Sequence, residues 1–352
     1  MCNGMSKMVL KEAESKYGAA WAIAVVQDVQ SGEILALADS DEVQAGTDAA
    51  KMSPSRAVSE TFEPGSVGKV ISMSGYLQMG LHKMSDQLSV PDHITQEGQT
   101  YKDSFDHGTE RWTLAGILQN SSNVGMIMAG ENYPDEQRYE YLTKFGIGQP
   151  TGLNLPGESS GLLTNPSAWD LRTRNTILFG QGYAVNALQL NNVVATIANK
   201  GVKQQQSIIK STTDANGKTT ETKKGEAARV VDEKVASDMM NAMESVAEGY
   251  NKFVKVDGYR MAAKSSTAEV QGSDGTLSSI ISDYSVVIPA DNPRYAVTVV
   301  MKDPNGVFGG LTAGPVSAQI CEFLMQKYEV PVSSPRQKCY SSHVVRIRGE
   351  RR

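Results

Sequence analysis

The chain has 352 residues, of which 40% are hydrophobic and 21% charged, with a formal net charge of -5. That is enough apolar sequence for a large core, built as one domain or as two intimately packed subdomains. The acidic balance, with no interleaved basic and aromatic residues, argues against a nucleic-acid surface. Cysteines at 2, 321 and 339 lack metal-ligand spacing and imply no disulfide framework, and Cys321 falls in an apolar helical pattern that suits a buried free thiol.

In chain order, AAWAIAVVQDVQSGEILALAD reads as two apolar strands joined by a turn at Gln30-Ser31-Gly32. Its longest apolar run, Ala19 to Val26, is far below the roughly twenty residues of a membrane span. The first eighteen residues lack a signal-peptide pattern, so the chain as given is expected to be soluble. Residues 40–61 are polar and turn-rich. They lead into FEPGSVGKVISMSGYLQMG, a helix over which Ser66 stands as an ordinary N-cap, Val70, Met73 and Leu77 form a core stripe, and Gly80 marks the close.

The same stretch sets Ser66 and Lys69 three apart, on one helix face. A lysine so placed can take the serine proton if burial or a neighbouring cation lowers its pKa. A phosphate loop fails on spacing, because Glu63 stands where the first glycine is needed and Val70 where a magnesium-binding hydroxyl is needed.

Helical runs at 113–120 and 124–132 flank the break NSSN, and 186–199 is a further periodic segment, with Gly- and Pro-rich loops such as GIGQPTGLNLPGESSGLL between them. DANGKT carries the Asn-Gly pair of a tight hairpin. YRMAAKSSTAEV, SSIISDYSVVIP and RYAVTVVMKDP then read as strands, followed by a helix from about Pro315 to Tyr328. Strands at both ends with helices between predict one antiparallel sheet flanked by helices, an α/β (α+β) architecture, with an all-helical lobe inserted. From Gln337 the chain has five basic residues, one acid and no periodic apolar face, so 337–352 is read as a disordered tail or an artefact.

Two further short stretches bear on Ser66. Ser121-Ser122-Asn123 lies at a helix break from which side chains can project into a cleft. Lys264-Ser265-Ser266-Thr267 lies in a strand, where a fixed cation and hydroxyls can grip a carboxylate and a backbone N–H can face an oxyanion. Taken singly, each reads more simply as turn or solvated strand.

In the order Ser-x-x-Lys, Ser-x-Asn, Lys-Ser/Thr-Gly, the three resemble the signature of penicillin-binding proteins and serine β-lactamases. The runs AVSETFEPGSVGKV, LQNSSNVGM, TGLNLPGE, FGQGYAVNALQL, IANKGV and VIPADNPRYAVTVVMKDP resemble one group in particular, the class B penicillin-binding proteins, septal or elongation D,D-transpeptidases of the bacterial wall. The resemblance implies a transpeptidase domain over 19–336, with 1–18 a lead-in from a truncated amino-terminal region. It implies that Ser66 forms an acyl-enzyme with a D-Ala-D-Ala stem peptide, Lys69 acts as base, and Ser121 and Asn123 complete a proton relay. Lys264, Ser265 and Thr267 would bind the terminal carboxylate, Ser122 would be a further substrate-binding residue, and the backbone N–H groups of Ser66 and Thr267 would form the oxyanion hole.

No metal or cofactor is implied. The implied partners are donor and acceptor stem peptides, β-lactams and, through the missing region, cell-wall or divisome membrane proteins at the extracytoplasmic face of the membrane. Where the family has glycine this chain has Ser266, which is expected to crowd the strand against the Ser66 helix. Asn186 replaces a common threonine, Glu158 is given a structural role, and His107 is read as a loop histidine near the cleft. A β-lactamase-like hydrolase and a catalytically weak penicillin-binding sensor or scaffold remain as alternatives.

Overall fold

The computed structural model of the chain describes residues 2–41, 54–222, 225–271, 277–306 and 308–336. The segment 337–352, with Cys339, lies outside them, as does most of the turn-rich stretch 40–61. The main helices are α1 (Cys2–Tyr17), α2 (Lys69–Gln78), α3 (Leu114–Gln119), α4 (Asn123–Ala129), α5 (Asp135–Phe145), α6 (Ala187–Ala198), α7 (Glu233–Gly249) and α8 (Ala313–Lys327). The strands of the main sheet are β1 (Trp21–Asp28), β2 (Ile34–Asp39), β3 (Ala262–Gln271), β4 (Leu277–Ile288) and β5 (Tyr295–Lys302). Their order is β3-β4-β5-β1-β2, and every pairing is antiparallel.

The sheet therefore joins both ends of the chain, as the strand pattern predicts. The uninterrupted apolar run of β1 follows from its place inside the sheet with both faces covered. Ile23 and Val25 point to the core shared with the helical lobe, while Ala22, Ala24 and Val26 point to the core under α1 and α8. Helix α6 is buried along its whole length. It is started by a capping box in which Asn186 and Gln189 exchange hydrogen bonds, which gives the departure at Asn186 a helix-capping reason. Its polar residues are satisfied against the sheet: Gln27 Oε1 accepts from Asn191 Nδ2 and Gln206 Nε2, and Thr298 donates to Asn191 Oδ1.

Within the stretch read as a lead-in, Cys2–Tyr17 forms α1, whose Val9, Leu10 and Ala13 are buried against the sheet and α8. Two expectations change. Ser66 is not a helix N-cap, because it sits inside a 3-10 turn, Gly65–Gly68, that precedes α2 and has no side-chain cap. Helices α5 and α7 add to the elements read from the sequence, although Val235, Met239, Ala242, Met243 and Val246 give α7 a plain helical stripe. The Asn-Gly hairpin forms as expected, pairing 211–213 with 219–221.

Candidate active site

The Ser66 turn is held from below by close backbone packing. Gly65 donates its N–H to the Gly180 carbonyl at 2.9 Å, and a Cβ on Gly180 would lie 1.7 Å from the Gly65 oxygen, so only glycine fits there. Glu63 adds a bond from the Gly182 N–H to its carboxylate. The other wall is β3 at the sheet edge, and the floor is the break between α3 and α4, where Ser121 adopts a left-handed φ of 55°.

These elements bring the three motifs together. Lys69 Nζ lies 2.8 Å from Ser66 Oγ, 2.7 Å from the Ser121 carbonyl and 2.7 Å from Asn123 Oδ1. Ser121 Oγ donates to Ser66 Oγ at 2.8 Å and accepts from Lys264 Nζ at 3.0 Å. The Ser121 carbonyl and Asn123 Oδ1 are acceptors only, so they take two amine hydrogens and turn the third position of Lys69 toward Ser66. Burial, reinforced by the Lys264 charge, holds Lys69 well below the ordinary lysine range, and Asp103 opposes this. An amine with a free lone pair can accept the Ser66 hydroxyl proton. Lys264 is also buried, which brings its pKa to about 7 against the pull of Asp283.

On β3, Ser265 Oγ lies 2.9 Å from the Tyr250 hydroxyl, and Thr267 Oγ1 accepts from the Gly309 N–H, which leaves the Thr267 O–H to donate. Both border an open cleft of about 330 Å³ with Ser66, Asn123 and the exposed rings of Phe105 and Phe308. Ser122 does not face it. Its side chain is fully buried and caps α4 by accepting from the Gly125 N–H. The Ser66 N–H does not point into free space either: it donates to Ser266 Oγ at 3.0 Å.

The residue that sequence reasoning missed is Asp103. Its Oδ1 accepts from the N–H groups of Asn123 and Val124 at 2.6 and 3.0 Å, and its Oδ2 lies 3.1 Å from His107 Nε2. It thus aims the first turn of α4, and with it Asn123, at Lys69. His107 is nearly buried behind it between Phe105 and Trp112 and supports this carboxylate instead of lining the cleft. Glu158 has the structural part expected, accepting from the Thr151 N–H. The stretch Gly157 to Gly161 matches Gly-x-Ser-x-Gly, but Ser159 lies in a loop and spends its hydroxyl on the Gly161 N–H, so it is no hydrolase elbow. Among the described residues, no group of three or more His, Cys, Asp or Glu side chains could hold a metal ion.

Residues 22–322 match the model of the penicillin-binding protein transpeptidase domain. The chain belongs to that family. This transpeptidase domain is 32% identical over 339 residues to penicillin-binding protein PbpB of Mycolicibacterium smegmatis, which covers 91% of the chain and 52% of the relative. It is 34% identical over 307 residues to the peptidoglycan D,D-transpeptidase FtsI of Escherichia coli, covering 84% of the chain and 50% of the relative. Such relatives place it in class B, and the chain spans about half the length of the curated relatives it matches. Among solved structures, it superposes on a peptidoglycan synthetase from Bifidobacterium adolescentis with TM-score 0.92 and 67% identity, over 95% of this chain and 61% of the other. Penicillin-binding protein 3 of Mycobacterium tuberculosis, complexed with aztreonam, gives TM-score 0.88 and 32% identity over 95% and 79%.

Proposed function

We propose that this transpeptidase domain is a serine acyltransferase that cross-links peptidoglycan stem peptides and is acylated by β-lactams. The observation that carries the reading is the continuous hydrogen-bond path from Lys264 through Ser121 and Ser66 to a buried Lys69, whose pKa burial holds below the ordinary lysine range. Ser66 Oγ attacks the carbonyl between the last two D-alanines while its proton passes to Lys69. The C–N bond then breaks, and the departing D-alanine amine takes a proton delivered through Ser121. The amine of a second stem peptide attacks the resulting ester and releases Ser66. Lys264, Ser265 and Thr267 hold the substrate carboxylate at the mouth of β3.

On this reading the site works on the extracytoplasmic face of the bacterial membrane, with cell-wall synthesis or divisome membrane proteins as partners. Among the described residues, no helix is long and apolar enough to cross a membrane.

The test is prolonged incubation with excess fluorescent penicillin, read by gel and intact mass, on the parent and Ser66→Ala. A long-lived adduct on the parent, lost in Ser66→Ala at unchanged melting temperature, is the expected result. No adduct on the parent, or an adduct that survives in Ser66→Ala, refutes the assignment. An adduct that forms and hydrolyses rapidly makes the protein a β-lactamase-like hydrolase.

A further inference from the structure

Ser266 stands on β3 directly across the ladder from Asp283 on β4. Both are buried, at 3% and 0% exposure. The Ser266 hydroxyl has little room to move, since a Cβ on Gly65 would come within 2.2 Å of it. On the other side the backbone at Gly309 is pressed against the same pair of strands, where a Cβ would meet the Ser266 and Asp283 carbonyls at 2.2 and 2.4 Å. Within this slot the hydroxyl oxygen accepts the Ser66 N–H at 3.0 Å. The Asp283 carboxyl is close by, and both of its oxygens are buried without a well-formed hydrogen bond. Burial pushes that carboxyl well above the usual carboxylate range, while the Lys264 charge and the Ser266 hydroxyl pull the other way.

We infer that Ser266 is an internal occupant of the oxyanion site: its hydroxyl holds the Ser66 N–H that must receive the developing oxyanion, and so slows acylation of this chain. Such a brake rests on the proposed acyl transfer and acts upon it. It differs from simple crowding of the strand, because what is withheld is one donor rather than the space for the substrate. Removing an oxyanion donor outright costs on the order of 100- to 1,000-fold in rate. A donor that is only occupied can still exchange its acceptor as the tetrahedral intermediate forms, so the brake is set at about 10-fold, equivalent to about 1.4 kcal/mol. Asp283 is the buried polar group that stands opposite Ser266 on the next strand.

The experiment is stopped-flow acylation with one chromogenic cephalosporin on the parent, Ser266→Gly and Ser266→Ala, with the melting temperature of each preparation and hydrogen–deuterium exchange of the peptide holding Ser66. Both variants are expected to acylate about 10-fold faster, and the Ser66 amide to exchange at least 10-fold faster in both. Acceleration in Ser266→Gly with Ser266→Ala at the parent's rate shows that bulk alone matters and overturns the brake. Equal or slower acylation by both, with a parent that still labels at Ser66, also overturns it and leaves the proposed function standing. If one variant does not fold, the other decides by the same criteria. No acylation in any of the three removes the proposed function and the brake with it.

Discussion

Asp103→Ala tests whether one buried carboxylate, invisible as a motif, aims the catalytic loop. The wild-type side chain accepts two backbone N–H groups from the first turn of α4, where the helix dipole also favours negative charge. A hydrogen bond to a charged acceptor is worth about 1.5–3 kcal/mol, and two on one carboxylate add less than fully. Losing both should cost about 2–4 kcal/mol and lower the melting temperature by about 5 °C.

The kinetic effect follows from Asn123, whose Oδ1 sits 2.7 Å from Lys69. If the freed turn shifts by about 1 Å, acylation falls by on the order of 100-fold. An opposing effect exists, since Asp103 raises the Lys69 pKa and its removal favours the free amine. Asp103→Asn separates the two, because it keeps an acceptor oxygen and removes the charge. The expected order of β-lactam acylation rates is parent, then Asn, then Ala. Asp103→Ala that melts and acylates like the parent refutes the positioning argument, and Asp103→Asn faster than the parent means that the charge on Asp103 outweighs its positioning of the turn.

Lys69→Arg should lose acylation by at least about 1,000-fold, because a guanidinium stays charged and cannot accept the Ser66 proton; acylation near the parent's rate would reduce Lys69 to a spacer. Lys264, brought to about 7 by burial, loses its charge as pH rises through that value, so affinity for a small carboxylate inhibitor should weaken above pH 7 and stay flat in Lys264→Gln, as titration calorimetry from pH 6 to 9 would reveal. The same depressed pKa lies below that of the unfolded chain. Unfolding therefore takes up a proton between about pH 7 and the ordinary lysine pKa near 10.4, and this group's contribution to stability grows as pH rises across that window. Tyr250→Phe removes the hydroxyl 2.9 Å from Ser265 Oγ and should weaken the same inhibitor by about two- to tenfold, with little change in melting temperature; unchanged affinity would detach Tyr250 from carboxylate binding.

How much of this was legible in the sequence follows the range of each interaction. Alternation and helical periodicity are local, so the strands at both ends, α3, α4, α6, α8 and the Asn-Gly hairpin could be read directly. Ser66 and Lys69 adjoin because three residues make about one turn, whatever the rest of the chain does. The motifs at 121–123 and 264–267 named Ser121, Asn123 and Lys264: Ser121 bonds Ser66, Asn123 bonds Lys69, and Lys264 bonds Ser121.

Tertiary structure decided what those residues are chemically. A lysine loses its proton readily only where water is removed and another cation is close, and Lys69 meets both conditions through chain segments 52 to 195 residues away, at Ser121 and at Lys264. The Ser122 cap on Gly125 spans only three residues and is a local signal, whereas no local pattern predicts that Asp103 would reach across to α4 or that Cys2 to Tyr17 would pack on the sheet. Ser66 failed as the expected N-cap for the same reason. Its hydroxyl is engaged by Lys69 and Ser121, and its N–H by a serine 200 residues away, partners that exist only once β3 has closed against the turn.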